Sequence, residues 1–181
     1  MRIHKTEGIV LKRKNSGEAD RILTILTKDY GKLHIKAKGV RKITSRRSSH
    51  IELLNHISFA FHKGSGLPIL TEAITIENYA EIKTDLKRVG LAYHICEIID
   101  ALCAQDQENR NIFSLLQTIL QGVSQPGNIL KKMYDFEVEL LYELGFYPKT
   151  HVQANFNPSY YIEELLERKL KARPLLHKFY E

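Results

Sequence analysis

The sequence predicts an α+β protein, with an amino-terminal β-barrel over residues 1–79 and an all-α helical domain over residues 80–181. Two observations predict it. Before residue 80, apolar and polar residues alternate with a period of two in short segments, whereas after it apolar residues recur every three or four positions. Clusters of glycine, asparagine and serine separate the early segments, as in tight turns between strands. A hydrophobic content of 43% in 181 residues suffices to pack both cores.

Five strands are expected in the first part of the chain. The period-two segments lie at residues 5–14, 20–28, 32–40, 55–63 and 67–77. Short turn-like links join them, apart from one longer basic connection at residues 41–53. Five short strands in about 80 residues favour a small closed barrel of the oligonucleotide/oligosaccharide-binding (OB) type.

Helical periodicity governs the second part of the chain. Helices are expected at residues 86–103, 113–123, 129–144 and, as one or two shorter helices with a break near Arg173 and Pro174, 161–180. The third should stop at Gly145, with Pro148 shortly after. Cys96 and Cys103 lie in the first of these helices, more than a turn apart, so we interpret them as reduced core thiols rather than a metal pair.

The sequence contains no uncharged apolar run of eighteen residues, and its first residues lack the apolar stretch of a signal peptide. A cytoplasmic protein with no membrane partner is therefore expected.

Positive charge is concentrated in the first part of the chain. Residues 1–79 carry 15 Lys and Arg against 7 Asp and Glu, whereas residues 80–181 carry 12 against 14. The densest stretch, residues 32–47, has seven Lys or Arg and no acidic residue. Such asymmetry is typical of a polyanion-binding module beside a module with another task, although the run alone fits a solvated flexible loop equally well.

The third predicted strand places its basic residues on one face, because side chains alternate along a strand. That face carries Lys32, His34, Lys36 and Lys38. The intervening Leu33, Ile35 and Ala37 should face the core. Neighbouring bases would lie about 6.6 Å apart and repel by only about 0.6 kcal/mol in water, so the pattern is also compatible with a merely solvated face.

The connection after this strand favours a nucleic acid as the partner. It adds Arg41, Lys42, Arg46 and Arg47, among hydroxyl residues able to donate to phosphate oxygens. Gly39 would let the backbone turn or approach a ligand. A cationic strand face beside a basic loop on a small barrel is typical of sequence-tolerant single-strand binding. Of the aromatic residues, Phe59 and Phe61 share a face with Ile57 and are expected in the core.

The acidic and histidine residues of the barrel give no catalytic pattern. Asp20, Asp29, Glu52 and Glu72 lie on separate predicted strands and turns, without the clustering of an acid/base pair or a two-metal site. The histidines are interpreted as surface or hydrogen-bonded residues, and no glycine-rich phosphate loop precedes a helix. No enzyme activity, catalytic residue, metal or cofactor is predicted.

Several motifs occur together in a fixed order along the chain. A Gly-Glu-x-Asp turn is formed by Gly17, Glu18 and Asp20, and Thr27 and Gly31 follow it. Next comes the element Ala-Lys-Gly-x-Arg at residues 37–41, then Ser45. In the helical part, "FEVELLYELGFYP" closes a Phe-Glu helix in Leu-Gly-Phe-x-Pro. This order resembles the bacterial recombination mediator family RecO over residues 1 to about 148.

The resemblance is incomplete in one respect. Many members of that family carry two Cys-x-x-Cys pairs of a zinc ribbon after this proline, whereas this chain has no cysteine past Cys103 and is short for the family. A zinc site is therefore not predicted.

The resemblance implies a non-enzymatic DNA-repair factor. Members bind single- and double-stranded DNA, anneal complementary strands coated by single-strand-binding protein, and with the partner RecR assist the loading of RecA. Lys131 and Lys132, beside an apolar groove of the helical part, are suggested as a site for the acidic carboxyl-terminal tail of single-strand-binding protein.

Two other functions stay open on the residues alone: an OB-type RNA-binding protein without enzymatic activity and, less favoured, a metal-dependent nuclease. For a RecO-like mediator that binds five to seven phosphates of a single strand, log affinity should fall with log salt concentration with a slope of about −3 to −5.

Overall fold

A computed structural model of the chain describes residues 2–148, 155–174 and 176. The first part has five strands, Ile3–Ser16 (β1), Asp20–Thr27 (β2), Gly31–Ala37 (β3), His56–His62 (β4) and Ile69–Glu77 (β5). They form a closed β-barrel in the order β1-β2-β3-β5-β4. The predicted five-stranded OB-type barrel followed by helices is confirmed.

The barrel interior is filled from one face of each strand. Leu33, Ile35 and Ala37 of β3 are buried in it, as the alternation predicted. Phe59 and Phe61 of β4 lie in the same core, which confirms their assignment to packing rather than to base stacking. On β3, the side chains that lie between Leu33, Ile35 and Ala37 therefore face away from the barrel interior.

The barrel is closed between β3 and β5 by a very short pairing of the two strands. These two strands run parallel and pair at a single position, Lys36 opposite Ile69. The Lys36 backbone N–H donates to the Pro68 carbonyl at 2.8 Å. Most of this edge of β5 therefore lacks a strand partner, and its backbone groups need other partners.

Helices form the rest of the described chain. They are Ala80–Lys83 (α1), Leu86–Leu102 (α2), Arg110–Ser124 (α3), Ile129–Glu143 (α4) and Pro158–Leu165 (α5). Asp85 caps α2 by accepting from the backbone N–H groups of Lys87 and Arg88. Gly145, with φ of 75°, follows α4 as predicted. No helix in the described ranges is long and apolar enough to cross a membrane.

The chain forms two compact units, residues 1–78 with 104–113 and residues 79–103 with 114–181. The first is called the barrel unit here and the second the helical unit. Unlike the predicted ranges, the barrel unit includes residues 104–113, a segment that leaves α2 and returns to the strands. Cys96 and Cys103 are both buried thiols, as expected.

The last predicted helix is wrong in its extent. The chain leaves the helical conformation after α5, because Glu167 adopts a left-handed backbone with φ of 51°. Two carboxylates then accept the backbone N–H groups that a longer helix would have paired: Glu163 bonds Leu170, and Glu97 bonds Ala172. A helical turn begins again at Arg173. The predicted residues 177–180 lie outside the described ranges.

Candidate nucleic-acid interface

The longest connection of the barrel unit, residues 38–50, is called the basic loop here. It is built from successive turns: the Lys42 N–H donates to the Gly39 carbonyl at 3.2 Å, and the Ser45 N–H donates to the Lys42 carbonyl at 2.9 Å. Gly39 has φ of 66°, a conformation that favours glycine. The loop is thus an ordered chain of turns rather than an extended linker.

Asp20, at the start of β2, fixes the first end of the basic loop. Its Oδ1 accepts from the Gly39 N–H at 2.8 Å, and its Oδ2 lies 3.1 Å from Lys36 Nζ. The hydrogen bond from Gly39, followed by that from Lys36, lowers the pKa of Asp20 below its ordinary value. Lys36, predicted to bind phosphate, is therefore already paired with a carboxylate.

Arg41 joins the same two chain segments. Its N–H donates to the Ala19 carbonyl at 2.9 Å, and its guanidinium Nη1 donates to the Gly17 carbonyl at 3.0 Å. The Gly-Glu-x-Asp turn and the Ala-Lys-Gly-x-Arg element are thus bonded to each other. The turn therefore positions the start of the basic loop.

Arg47 fixes the far end of the basic loop. Its Nη1 donates to the carbonyls of Leu70 at 2.8 Å and Thr71 at 3.4 Å, and its Nη2 donates to the Lys38 carbonyl at 2.9 Å. The guanidinium therefore joins the end of β3 to the unpaired edge of β5. Arg47 was predicted to bind phosphate, but the structure gives it a structural task.

His50 completes the cover of that edge. Its Nδ1 accepts from the Thr75 backbone N–H at 3.1 Å and lies 2.9 Å from the Thr75 hydroxyl. Two side chains of the basic loop thus replace the missing neighbour of β5, and the histidine is hydrogen-bonded, as the sequence indicated.

Lys32 was predicted to face solvent, and this is wrong: only 8% of its surface is exposed. The segment after α2 covers it, because the Asp106 N–H donates to the Lys32 carbonyl at 3.0 Å and Gln105 forms a bridge with Lys32. The cover is close, since a side chain on neighbouring Gly31 would meet the Gln107 backbone at 2.1 Å.

The pairing of β1, β2 and β3 aligns outward-facing residues in two rows. Lys12, Thr24 and His34 form one row, and the His34 Nδ1 lies 3.1 Å from the Thr24 hydroxyl. Lys14 and Lys36 flank Ile22 in the next row. The exposed Lys14 was missed from the sequence, since only the strand register shows that it shares a face with Lys36.

Two further arginines of the barrel form ion pairs on its inner side. Arg13 and Arg21 converge on Glu52, with Nη1–Oε1 distances of 2.5 Å and 3.6 Å. Their strand partners, Leu23 and Ala37, belong to the inward-facing set, so this ion-pair cluster closes the barrel end.

Three cations of the basic loop stay available to a ligand. Lys38, Lys42 and Arg46 are exposed. Within the described parts of the chain, Lys42 and Arg46 have no side-chain hydrogen bond or ion pair, and Lys38 acts on Asp20 only as a nearby charge. The loop thus presents donors and positive charge at fixed positions, which suits phosphate oxygens.

The two lysines suggested for an acidic tail differ in their surroundings. Lys131 is exposed, whereas the Lys132 Nζ donates to the carbonyls of Gly122 at 2.8 Å and Pro126 at 3.3 Å and so holds the connection between α3 and α4. The neighbouring Leu130 lines a pocket of about 480 Å³ in the helical unit.

Two family models match the chain in succession. "Recombination protein O N terminal" matches residues 1–79, and "Recombination protein O C terminal" matches residues 83–159.

Several similar proteins carry the name "DNA repair protein RecO". That of Roseiflexus sp. is 35% identical over 150 residues, which is 83% of this chain and 53% of the relative. That of Moorella thermoacetica is 36% identical over 154 residues (84% and 57%), and that of Listeria welshimeri is 31% identical over 148 residues (81% and 57%). The chain thus spans between half and two thirds of the length of these relatives. Two successive family matches, on a barrel and helices of the expected order, show that the chain belongs to the RecO family.

Proposed function

We propose that this chain is a DNA-binding recombination mediator that acts in recombinational DNA repair in the cytoplasm, at the nucleoid. It binds single- and double-stranded DNA through the phosphate backbone, anneals complementary strands and assists the loading of RecA. The observation that carries the proposal is the ordered basic loop, which holds Lys38, Lys42 and Arg46 exposed and unpaired within the described residues. The name of the relatives, "DNA repair protein RecO", supports a role in DNA repair.

Annealing follows from the electrostatics of this surface without any catalytic residue. Two strands repel each other through their phosphates, and cations that neutralise both lower this repulsion and raise the rate of encounter. The contacts proposed are to the backbone, so they are independent of base sequence. We therefore propose a non-enzymatic function that needs no metal or cofactor.

The set of DNA-binding residues is narrower than the sequence suggested. Lys38, Lys42 and Arg46 are its main members, and Lys14 and His34 extend it along the outer face of the barrel. Lys36 and Arg41 contribute charge while they hold the loop, Gly39 shapes the first turn, and Arg47 acts as its anchor. Lys32 is excluded because it is buried.

Protein partners are proposed for the helical unit. Lys131, next to the pocket that Leu130 lines, is proposed to bind the acidic carboxyl-terminal tail of single-strand-binding protein. RecR is proposed as the partner with which the chain assists RecA.

Titration of the protein against labelled single strands, duplexes and RNA at several salt concentrations tests the proposal. The three phosphates bound by Lys38, Lys42 and Arg46 should contribute about −2 to the slope of log affinity against log salt for single strands. Complementary strands coated by single-strand-binding protein should anneal faster with the protein present, and Lys131→Ala should weaken capture of the acidic tail. A slope near zero, or preference for RNA in direct competition, would contradict the proposal.

A further inference from the structure

The tip of the basic loop carries an apolar side chain. Ile43 is fully exposed, at 104% of the reference surface of an isoleucine, and in the described ranges the next most exposed large apolar residue is Leu86 at 68%. Scattered apolar residues at lower exposure are ordinary on protein surfaces. Complete exposure of an isoleucine at a loop tip leaves its whole apolar surface in water, so contact with a ligand would be favourable because it removes apolar surface from water.

The position of Ile43 is fixed by the loop. The turn from Gly39 to Lys42 precedes it, and the turn from Lys42 to Ser45 contains it. Asp20 holds one end of the loop and Arg47 holds the other. Because the tip is ordered before any ligand arrives, little conformational entropy is lost when it binds.

The residues around Ile43 define the ligand by its chemistry. Lys42 is adjacent, Arg46 lies three positions on, and both are exposed. An aliphatic group between cations fits a ligand with apolar faces between negative charges. An unpaired nucleic-acid strand has that pattern, since each base has an exposed π-face and each neighbouring phosphate carries a charge. In a duplex the same faces are stacked and must be separated at a cost before a side chain can reach them.

An anionic membrane surface shares part of this chemistry but fits the structure less well. Stable attachment to a membrane needs far more buried apolar surface than one side chain provides, since even a single fatty-acyl chain binds only marginally. One isoleucine is enough to contact one base. The geometry therefore favours the nucleic acid.

We propose that Ile43 contacts the face of an unpaired base while Lys42 and Arg46 bind the flanking phosphates, so that the basic loop prefers unpaired strands to duplex. This inference rests on the proposed function and adds a base contact to a surface that otherwise binds only backbone. In strand annealing, such a contact would favour the strands that have not yet paired.

Comparison of a normal single strand with an abasic strand of equal length and phosphate count tests the inference. Ile43→Ser should weaken binding of the normal strand about fivefold and leave binding of the abasic strand unchanged, because only the apolar contact is removed. Ile43→Leu should retain the affinity. Lys42→Ala should weaken binding of both strands. Ile74→Ser removes a side chain on β5 that is 64% exposed and serves as the matched control without effect.

Several outcomes would overturn the inference. Equal losses for both strands on Ile43→Ser would mean that the side chain only shapes the loop, and no loss for either strand would remove it from the interface. Loss of binding to vesicles of anionic lipid, with strand binding unchanged, would assign it to a membrane. If the unmodified protein bound neither strand in a salt-dependent way, the proposed function itself would fail, whatever the effect of Ile43.

Discussion

Cationic side chains of the helical unit and of the basic loop differ in what they contact. In the helical unit, Arg168 lies 2.9 Å from Glu97, and Arg173 and Lys169 both pair with Glu163. In the basic loop, Lys42 and Arg46 have no such partner among the described residues. Net charge is therefore a poor guide to which cations can bind a ligand, since Arg168, Lys169 and Arg173 are already paired with carboxylates of the helical unit.

Individual residues of the barrel unit follow the same division. Arg47 belongs with the structural cations, because its guanidinium donates to backbone carbonyls of its own unit. Lys36 lies between the two groups, since it pairs with Asp20 yet is about one third exposed.

The largest effect is expected for Glu137→Ala in the helical unit. Glu137 is 1% exposed, accepts from the Ser159 hydroxyl at 2.8 and 2.7 Å, and lies 2.7 Å from the His94 Nε2. Removal of the carboxylate leaves both partners unpaired, one of them deeply buried, and should lower the free energy of unfolding by about 3 kcal/mol. Urea denaturation measures this loss. Glu137→Gln, which retains an acceptor oxygen, should lower the free energy of unfolding by less. A change in DNA affinity on either substitution would contradict the distinction between groups that hold the fold and cations that bind a ligand.

Arg47→Ala should lower the free energy of unfolding by about 2 kcal/mol, because charge-assisted hydrogen bonds to the edge of β5 are lost. Arg47→Lys keeps the charge without the planar fork of donors and should recover only part of the loss. Thermal denaturation of the two variants tests this. Unchanged stability together with a fall in DNA affinity as large as that of Lys42→Ala would place Arg47 among the ligand-binding cations instead.

Acid should weaken the helical unit through Glu163. Burial raises the pKa of this carboxyl, but hydrogen bonds from the Leu170 N–H and Lys169, with the charge of Arg173, lower it below the ordinary value of 4.5. A pKa lower in the folded than in the unfolded state means that the stabilisation is complete above the unfolded pKa and is lost as pH falls through the folded one.

Unfolding free energy should therefore decline as pH falls below about 4.5, by less than the Arg47→Ala effect. Glu163→Gln should flatten this decline, as measured by urea denaturation at a series of pH values. An equal decline in this variant would mean that other carboxyls are responsible.

The smallest effect is expected for Asp20→Asn. The amide oxygen can still accept from the Gly39 N–H, but the negative charge beside Lys36 is lost. Single strands should bind about two- to fivefold more tightly, as fluorescence anisotropy would show, because an exposed ion pair no longer competes with phosphate. A weaker binding would mean that the charge of Asp20, rather than its hydrogen bond, shapes the loop.

The sequence predicted the barrel well, because alternation in β3 and the turn residues between strands depend on local chemistry. It did not predict the burial of Lys32, because the covering segment around Asp106 lies more than seventy residues away in the chain. The structural role of Arg47 could not be predicted from the sequence either, since it depends on the unpaired edge of β5. Lys14 was missed because the residue pattern within one β-strand does not show how that strand is aligned with the strand of Lys36.

The end of the chain shows the same limit. Helical periodicity continues past Leu165, but Glu97 and Glu163 accept backbone N–H groups there and so stabilise a non-helical course. Both carboxylates belong to elements that the periodicity identified, yet their partners are set by tertiary packing. Local patterns thus located the strands, most of the helices and the basic stretch, whereas contacts between distant segments decided which cations are available.

The salt dependence of single-strand binding, compared between the unmodified protein and the triple variant Lys38→Ala, Lys42→Ala and Arg46→Ala, tests the central claim most directly. The slope of log affinity against log salt should become shallower by about 2, since each lost phosphate contact removes about 0.7. The melting temperature should stay the same, because these side chains hold no part of the described fold. An unchanged slope, or a slope that falls only together with the melting temperature, would contradict the claim that these three cations form the nucleic-acid interface.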